Sequence, residues 1–207
     1  MQIILNNVGK RYNHDWIFRH CSYMFNSEKK YAVTGSNGSG KSTLLQVIAS
    51  AVLHNEGTLK YVINDKECAA EQVYKHIAIA APYVELIEEM TAKEFLAFHH
   101  QFKPLQLPVA EIIQIISLEK AADKQIRYFS SGMKQRLKLA QAFFSKTPVL
   151  LLDEPTTNLD ADGIALYHRL ITAYTEGKMV IISSNDPQEY SFCDEIIETA
   201  SYKMLSK

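Results

Sequence analysis

Across the first 65 residues apolar and polar positions alternate in short runs broken by turn residues: IILNNV, CSYMF, YAVTG and GTLKYVIND. A period of two predicts strands, so a small strand layer precedes and flanks the glycine-rich stretch after YAVT. From Met90 the texture changes. TAKEFLAFHHQF, AEIIQIISLEKAAD and SGMKQRLKLAQAFFS carry apolar residues with a period near 3.6, separated by PLQLP and KQIRYFS, which predicts a run of helices. Past Pro148 the strand texture returns as VLLLDEP, and a second apolar run, MVIISSND, follows an amphipathic helix over roughly Ala161 to Thr175. Strands alternating with helices imply an α/β fold with a mostly parallel sheet and ligands at its C-terminal edge. The helical stretch is then an insertion of about 55 residues, too small to carry a large core of its own. The sequence contains neither an internal repeat nor a low-complexity segment.

Between the YAVT run and the helix STLLQVIAS lies GSNGSGKS, residues 35–42, a match to G-x-x-x-x-G-K-[ST]. Gly35, Gly38 and Gly40 let successive backbone N–H groups turn inward and ring a row of phosphates. Lys41 adds a point charge for the β- and γ-phosphates, Ser42 offers a hydroxyl to Mg²⁺, and the following helix points its positive end at the same place. The candidate phosphate-binding residues are therefore Gly35, Ser36, Asn37, Gly38, Ser39, Gly40, Lys41, Ser42 and Thr43. Strand, glycine loop and helix in that order predict binding of a nucleoside triphosphate.

Composition narrows the partners. The 207 residues are 47% hydrophobic and carry 22 basic against 23 acidic side chains, a net charge of −1. With no basic tail and no basic run interleaved with aromatics, nucleic acid is not an expected partner. No apolar stretch approaches the roughly 20 residues needed to span a bilayer, and MQIILNNVGKRYNHD lacks a signal-peptide core, so a cytoplasmic location without direct membrane insertion is expected. Cys21, Cys68 and Cys193 are odd in number and widely spaced, which predicts reduced, mostly buried thiols. The histidines, with His99 and His100 adjacent and His54, His76 and His168 alone, lack metal-ligand spacing and read as surface or packing residues.

Two further stretches carry candidate chemistry. PVLLLDEP is an apolar strand ending in acids, so Asp153 and Glu154 emerge at the edge where the phosphate loop ends. Asp153 suits Mg²⁺, directly or through water, and Glu154 suits polarising the water that attacks a γ-phosphate; a strand capped by solvated acids is the alternative. In FSSGMKQRLKLAQAFF, Ser130 and Ser131 are natural N-cap residues, and Gly132 lets backbone approach a ligand. Taken alone, that stretch reads first as a simple well-capped amphipathic helix.

The order of phosphate loop, helical insert, an SSG-M-K-Q-R helix start, then LLLDEP followed by TTNLD, resembles the nucleotide-binding domain of ABC ATPases across essentially the whole chain. The resemblance implies an α/β P-loop NTPase with a mostly parallel sheet core, an N-terminal antiparallel β layer and an inserted helical subdomain. One domain is expected: residues 1–89 and 147–207 as the nucleotide-binding core, residues 90–146 as the helical subdomain. It further implies that Ser130, Ser131, Gly132 and Met133 stand where the family carries its LSGGQ signature. Asp153 and Glu154 become the Walker B acids, and Thr157 to Asp160 the D-loop. Tyr12 looks like the aromatic that stacks on adenine, with a packed strand-end tyrosine as its rival. ATP and Mg²⁺ are the implied cofactors. In the family two such domains meet head to tail, each ATP lying between one chain's phosphate loop and the other's signature, so one chain holds two half-sites.

Three departures from the family pattern stand out. Ser131 and Met133 replace the first Gly and the Gln of the signature, while Ser130 and Gly132, the expected phosphate contacts, are kept. At the end of MVIISSND, Asn185 stands where the family usually has a switch histidine; Asn donates a hydrogen bond but cannot become cationic, which predicts slow hydrolysis. Counting back from Thr91, with Glu94 as the acid of the family's LT-x-x-E helix, puts Pro82 or Tyr83 in the register of the Q-loop glutamine. Tyr83, Val84, Leu86 and Ile87 either face a membrane partner or pack in the core. The leading expectation is the ATP-hydrolysing subunit of an ABC transporter, a homodimer held at the inner face of the membrane by separate transmembrane subunits. Two other readings compete: a non-transport ABC ATPase that remodels a soluble complex, and a module that dimerises on ATP without useful turnover.

Overall fold

The computed structural model describes residues 1–202. In chain order its elements are β1 (Gln2–Tyr12), β2 (Asp15–Asn26), β3 (Lys30–Thr34), α1 (Lys41–Ile48), β4 (Glu56–Ile63), β5 (Lys66–Cys68), β6 (Ile77–Ala80), α2 (Ala92–Phe102), α3 (Val109–Ile115), α4 (Ser131–Phe143), β7 (Val149–Asp153), α5 (Ala161–Tyr174), β8 (Met179–Ser183), α6 (Pro187–Tyr190) and β9 (Glu195–Glu198). They form an antiparallel sheet ordered β2-β1-β4-β5 and a parallel sheet ordered β6-β7-β8-β3-β9.

The strands of the first sheet are longer than the clean alternations in the sequence because bulges reset the period. In β1, Ile3 and Leu5 point inward, the pairing with β2 shifts between Leu5 and Val8, and Asn7 takes φ 55 before Val8 turns inward again. The alternation by twos is interrupted at that point. β7 and β8 have every residue buried, the mark of central parallel strands covered on both faces. Successive side chains go to opposite faces. Val149, Leu151 and Ile181 meet Leu44, Val47 and Phe25 on the side of α1 and the antiparallel sheet, whereas Leu150, Leu152, Val180 and Ile182 meet Phe95, Ile112, Leu137 and Phe143 on the helical side. The helices of residues 90–146 thus share one continuous core with a face of the parallel sheet.

Two details differ from the sequence reading. AEIIQIISLEKAAD is not one helix: α3 stops at Ile115, Ser117 adopts φ 58, and a 3-10 turn, Glu119–Ala121, follows. Ile116, Leu118, Ala121 and Ala122 stay buried in the same core, so the apolar spacing continues through the break and disguises it. Two short strands, β6 and β9, carry no strong periodic signal, since β6 is only IAIA and β9 exposes every residue but Ile197 to some degree. Parallel order sets the C-terminal ends of β3, β7 and β8 side by side, at Thr34, Asp153 and Ser183.

Candidate active site

β3 ends at Thr34, α1 begins at Lys41, and the loop between them bends through Gly35 (φ 146), Gly38 (φ 75) and Gly40 (φ 97). Gly40 is required twice over: it is left-handed, and a Cβ there would lie 2.7 Å from Ile17 Cγ2. No side chain caps α1, so its first amides remain available to an anion. Lys41 is buried and its Nζ donates to the carbonyls of Gly35 at 2.7 Å and Ser36 at 3.3 Å, which curls the loop around the ammonium. Asn37, Gly38, Gly40, Lys41, Ser42 and Thr43 line a cleft of about 310 Å³ together with Ile17 and Glu154. Ser39 is turned the other way: its amide donates to Ser36 O at 3.0 Å and its hydroxyl meets that of Thr199 at 2.6 Å.

Across the sheet, Asp153 ends β7 in register with Ser183 of β8. Asp153 is 1% exposed, yet its Oδ1 and the Ser183 hydroxyl have no hydrogen-bond partner among the described residues. Buried polar atoms are nearly always satisfied, so an unpartnered carboxylate oxygen here marks a place for a cation or its water. A carboxylate oxygen is a hard donor, which suits Mg²⁺ rather than a soft metal. The next residue, Glu154, has φ 45, an uncommon conformation for a residue with a side chain, and its amide donates to Ser183 O at 2.8 Å. That turn aims Glu154 into the cleft of the phosphate loop.

A second cleft of about 310 Å³ adjoins the first through Asn37 and Glu154 and is bounded by Thr157, Asn185 and Glu189. Asn185 Nδ2 donates to Asn37 Oδ1 at 2.7 Å, so the residue in the switch register touches the phosphate loop. Glu189, buried on α6, accepts from the Thr156 amide at 2.7 Å and from the Thr156 hydroxyl, bracing the turn that carries Glu154. Tyr83 lies beside Gln46 of α1 and Asp153. Withdrawal of its hydroxyl from water and the nearby carboxylate push the phenol pKa up, while the bond with Gln46 pulls the other way. Its neighbours divide. Leu86 joins the core and, with Val84, Pro82, Glu88, Lys134 and Lys138, lines a groove of about 330 Å³, whereas Ile87 is 38% exposed.

The SSGM stretch forms a separate cleft, again about 310 Å³, lined by Ser130, Ser131, Gly132, Met133 and Arg136 with Asn158 and Asp160. Ser130 is the N-cap of α4, its Oγ accepting from the Met133 amide at 3.3 Å. A Cβ on Gly132 would lie 3.1 Å from Asn158 O, so glycine lets the two loops approach. Asp160 caps α5 through the Gly163 amide at 2.8 Å and takes Arg136 Nη2 at 3.0 Å; these partners, the amide first, hold its pKa down. Tyr12, 46% exposed, ends β1 beneath the Lys10 ammonium at 4.8 Å, and Ile17 of the same hairpin is the residue that reaches the phosphate-loop cleft.

Among the described residues no three His, Cys, Asp or Glu side chains cluster as a metal site, and no helix is long and apolar enough to cross a membrane. The cysteines are free, but only Cys21 is fully buried; Cys68 and Cys193 are half-buried, correcting the expectation of mostly buried thiols. Burial pushes the Cys21 thiol up to about 12. Ile17, Gln46, Glu189 and Thr199 escaped the sequence reading. They are ordinary residue types brought in from other elements, and nothing in their local pattern marks them.

The pattern of the ABC transporter family matches residues 18–157. The chain is 31% identical over 205 residues to the uncharacterized ABC transporter ATP-binding protein YybJ of Bacillus subtilis, covering 93% of this chain and 89% of that one. It is 33% identical over 155 residues to the cytochrome c biogenesis ATP-binding export protein CcmA of Xylella fastidiosa, covering 73% and 69%. Several other curated relatives are longer, this chain spanning 54% to 66% of their length. The fold is similar, with a TM-score of 0.80 and 23% identity over 95% of this chain and 93% of that one, to the ATP-binding cassette MJ0796, solved as a dimer in a post-hydrolysis state bound to ADP and Pi. A phosphate loop beside paired acids, a capped SSGM helix and a family match over most of the chain lead to one conclusion: this chain belongs to the ABC transporter family of ATP-binding proteins.

Proposed function

We propose that the chain is the ATP-hydrolysing subunit of an ABC transporter, working as a head-to-tail pair that encloses two MgATP and drives separate membrane subunits. The observation that carries this reading is the presence of two clefts without a common lining residue, one with Lys41, Ser42 and Glu154, the other with Ser130, Gly132 and Asp160. Each offers half of what a triphosphate needs, and a second copy turned end to end supplies the other half. The dimeric MJ0796 cassette, similar in fold, is consistent with that arrangement. Similarity to the CcmA export protein fits an exporter-type subunit.

In this reading Lys41 and the loop amides offset the charge of the β- and γ-phosphates, and Tyr12 and Ile17 contact the nucleoside side. Ser42 and Asp153 hold Mg²⁺, which supplies charge neutralisation at the phosphates. Glu154 accepts the proton of a water as its oxygen bonds to the γ-phosphorus and the bond to the β–γ bridging oxygen breaks. Asn185 gives a neutral hydrogen bond where a cation would give a stronger one, so turnover is slow. Ser130 and Gly132 of a second copy donate to the same phosphate. The groove between Pro82 and Lys138 receives a membrane subunit, which places the protein on the inner face of the membrane.

Steady-state ATPase assays test this. Mg²⁺-dependent turnover is expected, with Glu154→Gln nearly inactive and accumulating as an ATP-bound dimer in size-exclusion chromatography. A Glu154→Gln protein as active as wild type sinks the assignment.

A further inference from the structure

We propose that Thr199 is a positioning residue for the phosphate loop, which makes the segment after β9 part of the nucleotide site. The proposal rests on the ATP-binding reading above. Thr199 begins the 3-10 helix Thr199–Tyr202 and is 2% exposed; Ser39, at the crown of the loop, is 4% exposed. Their hydroxyls meet at 2.6 Å, and Thr199 Oγ1 also reaches Thr34 O at 3.0 Å. One hydroxyl proton cannot serve both contacts. The Thr34 carbonyl only accepts, so Thr199 donates to it and Ser39 supplies the proton of the shorter bond.

The space behind the loop is filled by this pair. A Cβ at Gly35 would lie 2.2 Å from Thr199 Oγ1 and 2.7 Å from Ser39 Oγ, so the glycine makes room for the bond. Thr199 is itself fixed, because β9 pairs with β3 up to Glu198 opposite Thr34. Ser39 lies between Gly38 and Gly40, both of which line the nucleotide cleft. Anchoring Ser39 from behind therefore holds the amides on either side of it, in a loop whose glycines would otherwise sample many shapes. A site held in its binding shape before the ligand arrives binds more tightly, because less ordering is left to do.

Thr199→Val removes the hydroxyl at nearly constant volume and leaves Ser39 Oγ and Thr34 O without this partner; Thr199→Ser keeps it. Titration with Mg²⁺ and a non-hydrolysable ATP analogue is expected to give a dissociation constant about tenfold weaker for Thr199→Val and within about twofold of wild type for Thr199→Ser, from the usual worth of one buried hydrogen bond. In ATPase assays KM rises in step while kcat stays within about twofold, a split that loss of folded protein alone does not give. Thr199→Val binding as tightly as wild type, or Thr199→Ser binding as weakly as Thr199→Val, overturns the proposal. A wild-type protein that fails to bind overturns the ATP-binding reading with it.

Discussion

Replacing Glu189 tests the bracing of the turn that carries Glu154. Its carboxylate accepts two hydrogen bonds from one residue, the Thr156 amide at 2.7 Å and the Thr156 hydroxyl, two positions after Glu154. Hydrogen bonds to charged groups contribute about 1.5–3 kcal/mol each, which bounds the loss in Glu189→Ala at about 3–6 kcal/mol. Thr156 is only half-buried, so water replaces part of it, and about 2–4 kcal/mol is the expected destabilisation. For a chain of this length that lowers the melting temperature by roughly 4–16 °C. Glu189→Gln keeps an acceptor oxygen in place and should fall less than half as far. The assay is thermal unfolding without nucleotide, followed by ATPase turnover well below the transition. There Glu189→Ala should show reduced kcat, because the turn that carries Glu154 is no longer held. A Glu189→Ala protein that melts within a degree of wild type, or a Glu189→Gln protein as unstable as Glu189→Ala, refutes the bracing role.

Three further outcomes are expected. Asn185→His should raise turnover roughly five- to tenfold if residue 185 contacts the γ-phosphate, since a charged donor there gains about 1–1.5 kcal/mol over a neutral one; an unchanged rate removes Asn185 from the proposed catalytic set. Glu154→Gly should abolish hydrolysis yet raise the melting temperature by roughly 1–4 °C, because glycine relieves a left-handed φ of 45 at about 0.5–1 kcal/mol; a lower melting temperature argues against strain at this residue. Desolvation first, then Lys103 and His100, lowers the His99 pKa to about 4 from 6.5, so its contribution to stability is present above about pH 6.5 and lost as pH falls towards 4. Urea unfolding of wild type at pH 7.5 and 4.5 should therefore differ by about 2.5 kcal/mol more than that of His99→Gln, and equal differences exclude His99 as the source.

What the sequence revealed follows from how local each requirement is. The phosphate loop is legible because its glycines, lysine and serine are dictated by backbone geometry within eight residues, GSNGSGKS. β7 and β8 are legible because a strand covered on both faces has to be apolar throughout, as VLLLD and MVIIS are. β9 is a sheet edge with one buried residue, too little to leave a periodic signal. The break at Ser117 was hidden because the residues after it return to the same core. Glu189 and Thr199 lie 35 and 160 positions from Glu154 and Ser39, and only the closing of the sheet brings them near their partners.

These distant residues share a logic that the parallel sheet imposes. Its order is β6-β7-β8-β3-β9, and along its C-terminal edge the loops after β7, β8, β3 and β9 are each tied by a side-chain hydrogen bond to the next. Thr199 after β9 bonds Ser39 after β3; Asn37 after β3 takes the Asn185 amide after β8; Glu189 after β8 holds Thr156 after β7; Tyr83 after β6 faces Asp153 at the end of β7. The links run in the order of the strands, because only adjacent loops come within reach of one side chain. Parallel strands point every loop at the same edge, so the edge that gathers the phosphate loop, Asp153 and Glu154 also sets five connections side by side. Glycine and strained backbone give those loops the shapes that the chemistry needs, at the expense of their own rigidity. The hydrogen bonds between neighbours restrain those loops without placing a further charged group in the cleft of the phosphate loop, so residues outside the motifs, such as Thr199 and Glu189, help to set the geometry of that edge.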